Sequence, residues 1–305
     1  MLLVTGATGF LGSAVVDLAV RRGADVRVAV RDAARARALL PPAVDVVVAE
    51  LADTDGLTRA ARGCTGVLHL AGSVGHSAQE TRRVNVDGTR SVLAAAVAAG
   101  VGRFVHTSSS AAVIDAHGLV AEEPHGPPAL TDAYSTSKAE AEQLVLAAAV
   151  DGLGAMIVNP VNVYGPSPLG PLGYNGLFLA AARGEVAAVV DATVGWVLAR
   201  DAALGHLLVL ETGEPGRRYV LCGATATFGR VLHGFADLVG GTRVPVLAPG
   251  ASLGDDAGTF ARRSEVYGRF PPVRVDDRGA RALGFAPSGI DEGLRITTDW
   301  IDHPR

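Results

Sequence analysis

Leu2-Leu3-Val4-Thr5-Gly6-Ala7-Thr8-Gly9-Phe10-Leu11-Gly12 sets a short apolar run directly before three glycines, each three residues from the next. The run reads as a buried strand, the glycines as a tight turn, and residues 11–22 as a helix. Glycine there allows a sharp turn, close approach of backbone to a pyrophosphate and tight packing of helix on strand, while the first helical N–H groups face the anion. Working outward, residues 26–30 read as a second strand, followed by an arginine-rich helix to residue 40. Strands over 44–49, 67–70 and 104–107 then alternate with helices over 54–62 and 80–99. After an irregular Pro/Gly/His-rich stretch (117–130), Asp132 caps a helix running to residue 150, and a sixth strand over 155–158 is stopped by Asn159-Pro160. Parallel strands need crossovers, so this alternation predicts an α/β protein with a doubly wound parallel sheet covered on both faces. Beyond Gly165 the pattern loosens into loops, short strands such as 219–221, and helices near 201–211 and 227–239. The expected organisation is a dinucleotide-binding unit over 1–165 and a smaller substrate lobe over 166–305, some of whose segments return to the first unit.

Composition narrows the function. With 305 residues, 49% of them hydrophobic, the chain can bury a large core. A net charge of -4 and a pI near 6.1 offer no basic face, so nucleic acid is not an expected partner. Apolar stretches are too short for a membrane span and the N-terminus has no charged leader, so the expected location is cytoplasmic, with no membrane contact. Cys64 and Cys222 are isolated thiols, read as apolar filler, and the eight histidines show no pair at ligand spacing, so no metal is expected. His76 reads as a solvated loop residue, His106 as a hydrogen-bonded core group, and Trp196 and Trp300 as core.

Lys138 is the sole lysine; every other cationic side chain is arginine. It follows Tyr134 by four residues in Tyr134-Ser135-Thr136-Ser137-Lys138, one helical turn on. An ammonium so placed favours phenolate and is expected to lower the tyrosine pKa toward that of a working acid/base. The serines of Thr107-Ser108-Ser109-Ser110 lie where a central strand ends, the edge at which such sheets bind ligands; Ser108 reads as a buried, backbone-bonded hydroxyl.

Thr5-Gly6-x-x-Gly9-x-x-Gly12, His69-Leu70-Ala71-Gly72, Asn85-Val86-Asp87-Gly88-Thr89, Thr107 to Ser110, Tyr134-x-x-x-Lys138 and Asn162-Val163-Tyr164-Gly165-Pro166 come in one order. Together they resemble the extended short-chain dehydrogenase/reductase family, also called the NAD-dependent epimerase/dehydratase family. Arg281-Ala282-Leu283-Gly284-Phe285 and the terminal helix over 293–300 extend the likeness over nearly the whole chain. Val26 to Asp32 is most similar to the dihydroflavonol-reductase-like branch.

The resemblance implies a Rossmann fold and a catalytic set of Ser110, Tyr134, Lys138 and Asn85, with Ser109 the alternative hydroxyl and Asn85 anchoring a relay water. It implies a cofactor held by Gly6, Thr8, Gly9, Phe10, Leu11, Gly12, Arg31, Arg35, Glu50, Leu51, Leu70, Ala71, Gly72, Thr107, Tyr134, Lys138, Pro160 and Val163. Ser73, Ser110, Asn162 and Tyr164 would face the substrate, in a pocket bordered by residues 73–77, 113–119 and 164–174. Arg31, with Arg35 and Arg37 beyond it, favours NADP over NAD through its 2'-phosphate; Asp32 turned toward a 2'-hydroxyl is the competing reading. The expected activity is NADPH-dependent reduction of a ketone or aldehyde on a small, moderately apolar carbonyl substrate. A nucleotide-sugar epimerase or dehydratase is the alternative, set against by residues 194–201, where only Asp201 fits the sugar-enzyme pattern. A non-catalytic NADP sensor is a third. Alanine-rich helices over 80–99 and 134–150 resemble the family's homodimer contact.

Overall fold

The computed structural model describes residues 1–74, 76–124, 126–254 and 256–302. Gly75, in the expected pocket border, lies outside them, as does His125 of the irregular stretch.

The chain runs β1 (Leu2–Thr5), α1 (Phe10–Arg21), β2 (Val26–Val30), α2 (Ala33–Leu39), β3 (Asp45–Val48), α3 (Thr54–Ala61), β4 (Gly66–His69), α4 (Ala78–Arg82), α5 (Gly88–Ala98) and β5 (Arg103–Thr107). It continues with β6 (Leu119–Ala121), α6 (Ala133–Val150), β7 (Gly154–Pro160), β8 (Asn162–Tyr164), α7 (Tyr174–Ala182), β9 (Val189–Val190), β10 (Thr193–Leu198), α8 (Ala199–Thr212) and β11 (Arg218–Leu221). Last come β12 (Ala224–Thr227), α9 (Phe228–Val239), β13 (Val246–Leu247), α10 (Thr259–Tyr267), β14 (Arg274–Asp276), α11 (Arg278–Ala282) and α12 (Ile290–Asp302).

Seven strands form one all-parallel sheet in the order β11-β7-β5-β4-β1-β2-β3. Period-two alternation sends Val4, Leu68, Val105, Met156 and Val158 to one face, against α1 and α8. Leu3, Val67, Phe104, Ala155 and Ile157 face the other way, against α3, α5 and α6. Strand order reverses between β1 and β4, which opens a ligand crevice at the carboxyl ends of those strands. The expected doubly wound α/β fold is therefore present.

Details differ from the sequence reading. Asn159 and Pro160 do not stop β7; they are its last residues. Pairing with β5 ends at Thr107 opposite Val158, so Pro160 extends past that neighbour and its missing N–H deprives no strand. The helix expected over 80–99 begins at Ala78 and contains a π-helical turn, Arg83–Asp87, carrying Asn85. Within the irregular stretch, β6 pairs with β14. A second layer from the latter half of the chain holds β12-β10-β8 and an aromatic core in which Trp196, wholly buried, meets Tyr174 and Phe228 with ring centroids 5.1 and 5.2 Å apart. His106 is buried with neither ring nitrogen hydrogen-bonded, unlike the bonded core histidine expected. Trp300 is only partly buried, and no helix among the described residues is long and apolar enough to cross a membrane.

Candidate active site

The β1–α1 turn is built by its glycines. Gly6 has φ +73, and a Cβ there would lie 2.4 Å from Ala71 N at the end of β4. A Cβ on Gly12 would lie 2.1 Å from Gly6 O, so only glycine lets α1 start this close to the strand. No side chain caps α1, and its first backbone bond runs from Ser13 N–H to Gly9 O (3.0 Å), so the preceding N–H groups face out of the helix end. This is a bare, close-packed anion cradle, and the residues fit a dinucleotide pyrophosphate. Around the same sheet edge stand Thr8, Phe10 and Leu11 beside the turn, Arg31 after β2, Arg35 on α2, Glu50 and Leu51 after β3, and Leu70 to Gly72 after β4. Thr107 ends β5, Pro160 is buried at the end of β7, and Val163 is half-buried in β8. Asp32 caps α2, its Oδ1 accepting from Arg35 N–H at 2.9 Å. Arg31, Arg35 and Arg37 are exposed and make no ion pair among the described residues.

Asp132 starts α6 by accepting from Ser135 N–H (3.2 Å), which puts Tyr134 in the first turn and Lys138 one turn deeper, facing the sheet. Lys138 is buried, its Nζ donating to Thr107 O at 2.8 Å. Burial lowers its pKa to about 8, opposed by the Glu142 carboxylate. Thr107 is itself fixed: its hydroxyl donates to His206 Nε2 (3.0 Å), because Nδ1 must donate to Ala202 O (2.7 Å).

Three expectations need correction here. Ser109, the alternative, is the serine whose hydroxyl acts on the Tyr134 phenol and lowers its pKa; Ser110, the first choice, acts on Tyr267 instead. The Tyr134 pKa is raised, by burial, and the largest influences lowering it are the Ser109 hydroxyl and the Arg263 guanidinium rather than Lys138. Asn85 does not offer its amide to a relay water. Its Oδ1 accepts from Ser73 N–H (2.7 Å), and its Nδ2 donates to Ser73 O (3.1 Å) and Ser137 Oγ (2.9 Å), tying the loop after β4 to α6.

Tyr164 is a fourth correction. It is 1% exposed and packs on Phe178 and Trp196, so it belongs to the core and not to a substrate surface. Ser108 is buried as expected, but its hydroxyl has no hydrogen-bond partner. Ser73 Oγ and Asn162 Nδ2 are also buried without one. Asn162 Oδ1 accepts from the Tyr174 hydroxyl (2.8 Å), and its residue borders a cavity of about 10 Å³ together with Ser110 and Tyr267. His76 is exposed, and no group of metal-ligating side chains occurs among the described residues.

Sequence reading missed two supporting groups. Glu142, one further turn along the Tyr134/Lys138 stripe, accepts from Arg218 Nε and Asn159 Nδ2, both at 2.6 Å, and Asn159 Nδ2 also donates to Ser109 O at 3.0 Å. The four-residue spacing of Tyr134, Lys138 and Glu142 was a legible signal. Arg263, on α10, stands over the Tyr134 ring with 5.9 Å from Cζ to the centroid, and no motif marked it.

The sequence matches the profile of the NAD dependent epimerase/dehydratase family over residues 2–222. A Synechocystis protein provisionally named dihydroflavonol 4-reductase is 32% identical, covering 98% of this chain and 94% of its own. Sterol demethylase protein B of Methylococcus capsulatus is 36% identical (98% and 97%), and cinnamoyl-CoA reductase 2 of Medicago truncatula is 30% identical (75% and 74%). Among solved structures, gox2253 superposes with a TM-score of 0.84 at 28% identity, covering 100% of this chain and 99% of that one. MoeE5 in complex with UDP-glucose and NAD superposes with a TM-score of 0.80 at 25% identity, covering 99% and 98%. The chain belongs to the NAD-dependent epimerase/dehydratase family, in its dihydroflavonol-reductase-like branch, and is an NAD(P)-dependent enzyme of the extended short-chain dehydrogenase/reductase type.

Proposed function

We propose that this enzyme reduces the ketone or aldehyde of a small, moderately apolar substrate to an alcohol, with NADPH as reductant. The observation that carries the reading is the Tyr134 phenol set beside the Ser109 hydroxyl, with Lys138 one turn below it and its ammonium on Thr107 O at the end of β5. The Gly6 to Gly12 turn would cradle a nicotinamide dinucleotide and Lys138 would steady it, and that cofactor would supply the hydride. Ser109 orients the carbonyl oxygen, and Tyr134 passes its phenolic proton to that oxygen as negative charge develops. Asn159 fixes the Ser109 backbone, and Asn85 fixes the loop after β4 against α6. A phenol is protonated at neutral pH, the form an acid needs, and burial moves its pKa further up.

The exposed Arg31, which makes no ion pair among the described residues, supports NADPH over NADH. The relatives named as reductases support carbonyl chemistry. A nucleotide-sugar enzyme is the second reading, favoured by the orphaned Asn162 Nδ2 and by the likeness to MoeE5. Turnover of a carbonyl panel with both cofactors tests the proposal. NADPH should give the higher kcat/KM, Arg31→Ala should lose most of that preference, and Tyr134→Phe should lose about 100- to 10,000-fold of turnover while binding cofactor normally. Preference for NADH would mean that Asp32 faces the ribose, and a co-purifying nucleotide sugar would replace the proposal with the second reading.

A further inference from the structure

Arg263 reaches the site from a part of the chain that shares no motif with it. Its Cζ lies 5.9 Å from the centroid of Tyr134 and 6.0 Å from that of Tyr267. Its side chain is 21% exposed, and among the described residues the carboxylate it pairs with is that of Asp132, 3.9 Å away. That carboxylate is already engaged with Ser135 N–H and, at 2.6 Å, with the Ser135 hydroxyl. A guanidinium this enclosed stands among phenols, its charge also reaching the Tyr174 hydroxyl. Its helix is pinned: the buried Ser264 accepts from Val190 N–H (2.9 Å) in β9 and donates to Ala261 O (2.5 Å).

The groups facing the Tyr134 phenol come from four directions. Asp132 and Lys138 share its helix, Ser109 follows β5, Tyr174 lies on α7, and Arg263 and Tyr267 lie on α10. Lys138 donates to Thr107 O, on the sheet side. Of the two cations, Arg263 is the one whose charge falls on the phenol.

We infer that Arg263 is a positioning residue that sets the acid strength of Tyr134, so that the second half of the chain tunes the proton donor carried by the first. A guanidinium over the ring favours phenolate and makes the phenol a stronger acid, while Asp132 pulls the other way. The inference rests on Tyr134 being the proton donor, but its test reads the phenol directly.

The protein labelled with 3,5-difluorotyrosine at its five tyrosines, saturated with NADP+, gives fluorine resonances whose pH midpoints report each phenol in a range where the fold is stable. The Tyr134 resonance is the one missing from Tyr134→Phe. Arg263→Gln should raise its midpoint by about one pH unit. Arg263→Lys should restore part of the shift, and Asp132→Asn, which keeps a capping side chain, should move the midpoint down. The basic limb of kcat/KM for carbonyl reduction should move in the same directions. Unchanged midpoints in Arg263→Gln and Asp132→Asn would overturn the inference. Full turnover by Tyr134→Phe would instead overturn the proposed reduction mechanism and leave the fluorine result standing.

Discussion

Lys138 and Tyr134 show what a residue's identity reveals and what it conceals. That an otherwise lysine-free chain keeps one lysine, a turn below a tyrosine, pointed to the site once the ordered motifs around it were read with it. It was not enough to give the electrostatics, because direction along a helix does not say where an ammonium ends. Here it ends on Thr107 O, and burial brings its pKa to about 8. Raising the pH through about 8 therefore removes the lysine's charge, and cofactor affinity should weaken across that interval, with proton uptake on binding. Calorimetry in buffers of different ionisation enthalpy checks this. Lys138→Arg keeps its charge throughout, so its affinity should be flat with pH, yet its activity should fall because a planar fork cannot take the place of a compact ammonium. The choice between Ser109 and Ser110 was equally hidden: adjacent hydroxyls differ only in which way the chain turns into the short helix after β5.

At the scale of elements, the strands and helices of the first half were legible because apolar strand cores and glycine turns alternate without interruption. The misplaced end of β7 arose from reading Pro160 without its neighbours, since a proline is harmless where the adjoining strand has already ended. β6 and β14 were invisible because three-residue strands carry no periodicity. The α6 stripe of Tyr134, Lys138 and Glu142 ties catalysis to stability. Glu142 and Arg218 form an ion pair with side chains 2% and 16% exposed, and removing one partner of such a pair leaves the other uncompensated. Glu142→Ala should lower unfolding free energy by about 3 kcal/mol, measured by urea titration. It should also depress kcat more than KM, because Asn159 then loses one of the two acceptors that aim it at Ser109.

For the whole molecule, three buried histidines are held neutral, His69 and His106 in the sheet and His206 on α8 packed against it. His69 takes Thr5's hydroxyl proton at Nδ1 (2.6 Å) and donates from Nε2 to Thr89 (3.0 Å), whose own hydroxyl is directed at Asn85 O. Burial drops its pKa to about 3, that of His206 to about 4, and that of His106 well below its usual value. In the unfolded chain each takes a proton near pH 6.5. Stability from these groups is thus complete above about 6.5 and declines as pH falls toward 4 and then 3, by up to about 1.4 kcal/mol per pH unit for each. Urea midpoints at pH 7 and pH 5 should differ accordingly, and a histidine-to-glutamine change at 206 should shrink the difference.

β11 carries one more consequence. It lies on β7 at the rim of the sheet, but its residues, Arg218 to Leu221, are made long after β7 closes at Pro160. A ribosome adding about 5–20 residues per second leaves β7 with a bare rim for several seconds. During that interval the backbone groups of an apolar strand are open to any neighbouring nascent chain. Newly made copies are therefore more at risk of sticking to one another before residue 218 emerges, and that late strand exchanges the seven-residue rim of β7 for the four-residue edge of β11.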